Sequence, residues 1–242
     1  MTHQPIFLSI DDAMIEKSGK YFELCSKLYD HVAHNVSNYR NGHCMISLLL
    51  SFLVYQDRKF LYLSVPMGYR LWDKQKSKLA LATNLVAQAM KAITPKRQVI
   101  LLCDSWYPKA EVIALMEQFE NLEMVCNARV DTALYGLSPA KTGKKGRLRK
   151  RGSRIQLDDI VLGEPESGDW LIGMMLIITN LWKDKVVYVL VTAPKYGKGS
   201  AVCSYAQLIQ ESFPLTGRTA LTKQPVLMEL KMSFICSWYG MA

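Results

Sequence analysis

Val99-Ile100-Leu101-Leu102-Cys103-Asp104 is a short, wholly apolar run that ends at once in a carboxylate. Near the N-terminus, Ile6-Phe7-Leu8-Ser9-Ile10-Asp11-Asp12 repeats the arrangement. Runs of this length without polar interruption suit strands buried on both faces, and an acid at the end of such a strand stands at the rim of a sheet. If the two strands are neighbours, their carboxylates converge and can hold a hard divalent cation. A single aspartate after a strand is common. Two in one strongly basic chain point toward metal-dependent phosphodiester chemistry.

Between these strands, residues 44–55 and 58–65 are apolar runs separated by Gln56 and Asp57, the pattern of a hairpin. The region 16–42 that precedes them is polar and irregular and reads as loop. Its histidines, His31 and His34 with His43 just beyond, lack a fourth ligand at zinc spacing and read as loop or surface residues. From Lys74 to Ile93, apolar residues at Leu79, Ala82, Leu85, Val86, Ala89, Met90 and Ile93 mark one helical face, closed by Pro95. A second helix is expected from about Pro108, suited to a first turn, to Phe119, followed by a strand over Leu122–Ala128. The order is strand, strand, strand, helix, strand, helix, strand.

The 242 residues are 50% hydrophobic, enough for a sizeable core, and the net charge of +9 favours a polyanionic partner. Residues 136–154 concentrate that charge. Lys141, Lys144, Lys145, Arg147, Arg149, Lys150, Arg151 and Arg154 alternate with Pro139, Gly143, Gly146 and Gly152. Such a run is expected to be a mobile loop that contacts phosphates without reading sequence. The plainer alternative is a solvated loop. Six scattered cysteines without CxxC spacing read as reduced thiols of a cytoplasmic protein, with no signal peptide. The most apolar runs, Met45–Tyr55 and Trp170–Trp182, are too short and too interrupted for membrane spans. Leu171–Ile178 and Lys185–Thr192, around Trp182-Lys183-Asp184, read as a second hairpin. Past Lys195 the periodicity weakens and no convincing closing element is visible. Trp72, Trp106 and Tyr107 suit either base stacking or the core.

FLSIDDAMIEKSGK (residues 7–20) and VILLCDSWYPKAEVI (residues 99–113) resemble the first- and second-strand motifs of insertion-sequence transposases of the DDE superfamily. YRNGHCMISLLLSF and YLSVPMGYRLW match the intervening hairpin in style. The resemblance covers roughly residues 1–195. It implies an α/β chain with a ribonuclease H-like mixed sheet, three antiparallel strands and then helix-strand-helix-strand, carrying a β-rich basic insertion. The implied organisation is a catalytic core over 1–135, a basic flexible loop over 136–154, a β-rich insertion over 155–198 and an atypical tail over 199–242. In that family two aspartates and a glutamate hold Mg2+ or Mn2+ at the scissile phosphate, with two ions about 3.5–4 Å apart. Carried over, Asp104 is the second acid and Asp12 or Asp11 the first. Successive side chains on a strand point to opposite faces, so only one of the pair can face the ion, and Asp12, directly before the small residue, is preferred.

The family's third acid lies on a late helix in a motif like Tyr-x-x-x-Arg-Trp-x-Ile-Glu, which does not occur here. Glu211 and Glu229 are the only glutamates past residue 166, and neither sits in such a string. A frameshift near Gly199-Ser200 would account for this, and the lack of an N-terminal DNA-recognition domain suggests shortening at both ends. The implied partners are DNA at transposon ends and a second copy or a full-length transposase, with no membrane. Little or no strand transfer is expected. The rival readings are a non-catalytic DNA-binding remnant, a ribonuclease H-like nuclease that is not a transposase, and a small-phosphoester hydrolase.

Overall fold

The computed structural model describes residues 5–18, 21–29, 39–127, 132–140, 148–156, 159–163, 170–182, 185–194 and 205–210. Its centre is β5 (Val99–Cys103), in which every residue is buried. β5 pairs in parallel with β1 (Ile6–Glu16) on one side and with β6 (Leu122–Asn127) on the other. Burial on both faces is why Val-Ile-Leu-Leu-Cys shows no alternation. β1 in turn pairs antiparallel with β3 (Tyr39–Gln56), and β3 pairs antiparallel with β4 (Lys59–Leu71) through the turn at Asp57 and Arg58. The order across this part of the sheet is therefore β4-β3-β1-β5-β6.

One strand in this part of the sheet was not expected. Ser26–Tyr29 forms β2, antiparallel to β3 at Tyr39–Gly42, within the stretch that reads from sequence as loop. β1 likewise runs on to Glu16, paired with Gly42. The correction has a simple cause: these extensions are held by backbone pairing at the sheet margin, which does not require apolar side chains. His43 lies on β3, where its ring meets the Glu23 carbonyl oxygen at 2.7 Å and the edge of Phe22. His31 and His34 lie outside the described residues.

Two helices follow the pattern of the sequence with tighter limits. α1 spans Lys78–Ala92, because the Ser77 hydroxyl accepts from the Ala80 amide at 3.0 Å and so sets its start. It buries Ala82, Leu85, Val86, Ala89 and Met90. α2 spans Ala110–Gln118 and buries Val112, Ile113 and Leu115. Pro108 precedes the cap residue Lys109 instead of standing in the first turn. Both helices place these side chains in one core cluster with Leu8, Ile10, Ile46, Leu48, Leu101 and Cys103. A smaller cluster on the other face of the sheet holds Phe7, Ile100, Leu102, Val125 and Leu190.

The remaining strands extend the same sheet. β7 (Leu134–Tyr135) pairs with β8 (Arg154–Ile155), and with β9 (Trp170–Thr179), which forms a hairpin with β10 (Val186–Pro194) across a 3-10 turn at Asn180–Trp182. The ends of the basic segment are thus tied together, with the Gly136 amide donating to the Ser153 carbonyl at 2.9 Å. β11 (Tyr205–Gln210) lies between β6 and β10 and is antiparallel to both. A closing strand therefore exists in the segment that reads from sequence as lacking one. Six residues with partners on both sides need little periodicity of their own. No described helix is long and apolar enough to cross a membrane.

Candidate active site

Alternation along β1 decides where its two aspartates go. Leu8 and Ile10 enter the helix-side core, and Phe7 enters the opposite cluster. Asp12 continues the parity of Leu8 and Ile10, whereas Asp11 follows Phe7 and Ser9. The parallel register of β1 and β5 ends at Ser9 opposite Leu102, and Asp11 and Asp104 each lie two positions further along. The acids foreseen from sequence thus lie at the same edge, on adjacent strands. Asp104 is exposed, and its Oδ1 accepts from the Trp106 amide at 2.8 Å, shaping the turn out of β5. Asp11 Oδ1 accepts from the Asp12 amide at 2.8 Å.

Asp12 is the best-connected member. Its Oδ1 accepts from the Tyr107 hydroxyl at 3.1 Å, and its Oδ2 accepts from Lys78 Nζ at 2.6 Å and lies 3.5 Å from Cys44 Sγ. The Asp12 and Lys78 side chains are each 25% exposed, so the ion pair is only partly screened. Tyr107 is fully buried. Burial first, then the charges of Asp12 and Asp11, the hydrogen bond to Asp12 and the charge of Asp104, hold its phenol protonated far above the ordinary tyrosine range. All three carboxylates therefore act on one hydroxyl. Burial also pushes the Cys44 thiol up, to about 11, with Asp12 adding and Lys78 opposing. For Lys78, burial works against the ammonium, but the hydrogen bond and charge of Asp12 outweigh it and raise its pKa.

The turn that delivers Lys78 is tightly determined. Trp72 Nε1 donates to the Lys76 carbonyl at 2.8 Å, Asp73 Oδ1 accepts from the Gln75 amide at 2.9 Å, and Lys74 adopts a left-handed φ of 66°. Lys78 then enters as the first residue of α1, with its ammonium 5.3 Å from the Trp72 ring centroid and 5.7 Å from that of Trp106. A cation in the first turn opposes the helix dipole, typically by about 0.3–1 kcal/mol. No acidic residue on the first turn offsets it. Asp12 supplies the compensating charge from β1.

Sequence reasoning found the acids but missed Lys78, Tyr107 and Cys44 as their partners. The available signal was Lys78 itself, a lysine directly after a helix-capping serine, where an acid is favoured. Tyr107 is a core aromatic, while Trp106 is 41% exposed at the rim. Of the basic segment, Arg149 and Lys150 are exposed, Arg151 stacks on Tyr135 at 4.9 Å and Arg154 belongs to β8. Lys141, Lys144, Lys145 and Arg147 lie outside the described residues, as do Glu211 and Glu229.

Three carboxylates are donors of the right kind for a hard cation. In number and arrangement they fall short. Among the described residues no three His, Cys, Asp or Glu side chains come together closely enough to hold an ion. One oxygen of Asp12 is already taken by an ammonium. No protein-family model matches the chain, and no curated protein matches it.

Proposed function

We propose that this chain carries the catalytic domain of a DNA transposase of the DDE superfamily on a ribonuclease H-like fold. Its own strand-transfer activity is weak or absent, because the late glutamate motif of that family does not occur in the sequence. The observation that carries the reading is the placement of these two aspartates at one edge of adjacent parallel strands, within the order β4-β3-β1-β5-β6. That order, with β1, β3 and β4 antiparallel and two helix-linked parallel strands after them, supports the fold. The family resemblance of the two aspartate motifs supports the chemistry.

Asp12 and Asp104, with Asp11 beside them, are the acids of this edge that correspond to the family's ligands for Mg2+ or Mn2+, and among the described residues they do not by themselves complete such a site. Of the chain's own residues, Tyr107 orients the Asp12 carboxylate from the buried side. Arg149, Lys150, Arg151 and Arg154 supply positive charge for a phosphate backbone. The partner is DNA, at transposon ends.

The test pairs binding with cleavage on duplexes taken from the DNA flanking the coding sequence, with a scrambled duplex and a branched duplex as comparators. The expected result is salt-sensitive binding that prefers the flanking ends, with cleavage at or near background in Mg2+. Equal binding to the scrambled duplex defeats the transposase assignment. Cleavage of the branched duplex alone, lost in Asp104→Ala, favours a nuclease of another kind. A non-catalytic DNA-binding role is the second reading, favoured by the ammonium already seated on Asp12. Binding without end preference and without cleavage would establish it.

A further inference from the structure

We infer that the exposed indole of Trp106 and the turn Trp72–Lys78 form a site for an unpaired nucleotide of a DNA strand, in which Trp106 stacks the base and Lys74 and Lys76 contact the flanking phosphates. The inference rests on the reading of DNA as the partner and needs no metal ion. Trp106 is 41% exposed, although its neighbour Tyr107 is fully buried. It is nonetheless held in place. The Asp104 side chain accepts from its amide at 2.8 Å, and its ring meets that of Tyr107 at 87° with centroids 5.1 Å apart. Among the described residues its indole N–H has no hydrogen-bond partner, unlike that of Trp72, which donates to the Lys76 carbonyl. A large ring kept at the surface with an open donor is a platform for a base, whose π-face stacks whatever the sequence.

The surrounding charges sort base from backbone. Lys78 ties the turn after β5 to the turn before α1, because its ammonium pairs with Asp12 and lies 5.3 Å from the Trp72 ring centroid and 5.7 Å from that of Trp106. It is therefore committed to the protein. Lys74 and Lys76, on the same turn, are exposed and carry no ion pair among the described residues. Lys74 Nζ lies 5.8 Å from the Trp72 centroid, and the turn beneath it is fixed by the Trp72 and Asp73 hydrogen bonds. Asp104, exposed two positions before Trp106, repels phosphate, so the base and not the backbone settles on the indole. Base faces inside a duplex are closed by their neighbours, and the site therefore selects nucleotides that are out of the stack.

The experiment titrates the full chain, in EDTA, against a short fluorescein-labelled oligothymidylate, an abasic strand of the same length and a blunt duplex. Anisotropy reads affinity, and quenching of tryptophan emission by unlabelled strands reads stacking. The variants are Trp106→Ala, Trp106→Phe and Lys74→Gln/Lys76→Gln, with thermal melts to verify that each is folded. Trp106→Ala is expected to bind oligothymidylate about fivefold or more weakly than the wild type, as the loss of one stacked base implies. Trp106→Phe retains most of the affinity but loses the quenching. The abasic strand binds wild type and Trp106→Ala alike. Replacing the two lysines makes the salt slope on the single strand shallower by about 1–1.5. If Trp106→Ala binds oligothymidylate as tightly as the wild type, or the abasic strand binds the wild type as well as oligothymidylate does, the stacking site is overturned. If the duplex binds and oligothymidylate does not, the site is overturned while the reading of DNA as partner stands. If no strand binds, that reading falls and this inference falls with it.

Discussion

The Tyr107 hydroxyl donates to Asp12 Oδ1 at 3.1 Å, joining the turn after β5 to the outer part of β1 from 95 positions away in the chain. The ring is fully buried among α1, α2 and sheet residues, so packing fixes where its hydroxyl lies. Tyr107→Phe keeps that packing and removes one charge-assisted hydrogen bond. The expected loss is about 1 kcal/mol, below the usual range for a hydrogen bond to a charged group because water reaches the partly exposed carboxylate. Differential scanning calorimetry should show a melting point lower by about 2–4 °C. An unchanged melting point would mean that the hydroxyl contributes nothing to the site.

Gly42 is the position where β1, β2 and β3 meet, paired with Glu16 on one side and Ser26 on the other. A Cβ there would lie 2.5 Å from the Ile15 carbonyl oxygen, a clash with backbone that no rotamer relieves. Gly42→Ala is expected to loosen this corner, at a cost of about 1–3 kcal/mol typical of overpacking. Hydrogen exchange should become faster at Glu16, Lys17 and Ser26 while the amides of β5 stay protected. Uniform protection across all of these amides would contradict the crowding.

Legibility from sequence followed burial. β5 and α1 were readable because each buries a contiguous face, and the side chains show it: five buried residues in a row for one, and steps of three and four for the other. β2 and β11 were not readable. The first pairs at a margin with polar residues, and the second is a six-residue strand whose neighbours come from distant parts of the chain. The same division holds at the site. Asp12 and Asp104 announce themselves by following apolar runs. Lys78 and Tyr107 reach Asp12 only through the packing of α1 and of the post-β5 turn, which no local pattern encodes.

Cys44 provides a pH test of the site. Its thiol is pushed up to about 11 from an ordinary value of 9.0, by burial first and by the nearby Asp12 charge as well. The folded state therefore keeps a proton that the unfolded state gives up. The associated stability is intact below about pH 9 and is lost as the pH rises through about 11. The upward shifts of Tyr107 and Lys78 act in the same direction at still higher pH. Melting temperatures should fall steadily from pH 9 upward, and less steeply in Cys44→Ala. Iodoacetamide labelling followed by peptide mass spectrometry should find Cys44 slow to react at pH 8 while Cys25, which is only half-buried, reacts readily. Fast labelling of Cys44 at pH 8 would show that the thiol is neither buried nor paired as described.

The basic segment makes a prediction in salt. Arg149 and Lys150 are exposed, and Arg154 is exposed at the start of β8. If each meets one phosphate, replacing all three by glutamine removes about 0.9 from the slope of log K against log salt for each contact. The expected change for duplex DNA is a slope shallower by about 2–3, with no loss of thermal stability. A slope equal to the wild type would assign these residues to the solvated surface.

β4 pairs with β3, and among the described residues no other strand pairs with it, so its outer edge offers unpaired backbone groups. Leu61, Leu63 and Val65 stand at alternate positions along it, exposed by 48%, 48% and 39%. Alternation places all three on one face, so the edge carries an apolar stripe beside open hydrogen-bonding groups. Proteins blunt such edges with charge, and here only Lys59 and Arg70, near the two ends of the strand, offer it. Leu63→Lys adds a charge at the centre of the stripe while leaving the buried face of the sheet untouched. Folding stability should change by no more than about 0.5 kcal/mol, as for other surface substitutions. Light scattering during concentration should nevertheless show a higher onset of aggregation. If the variant aggregates at the same concentration as the wild type, the β4 edge is not the surface through which molecules associate.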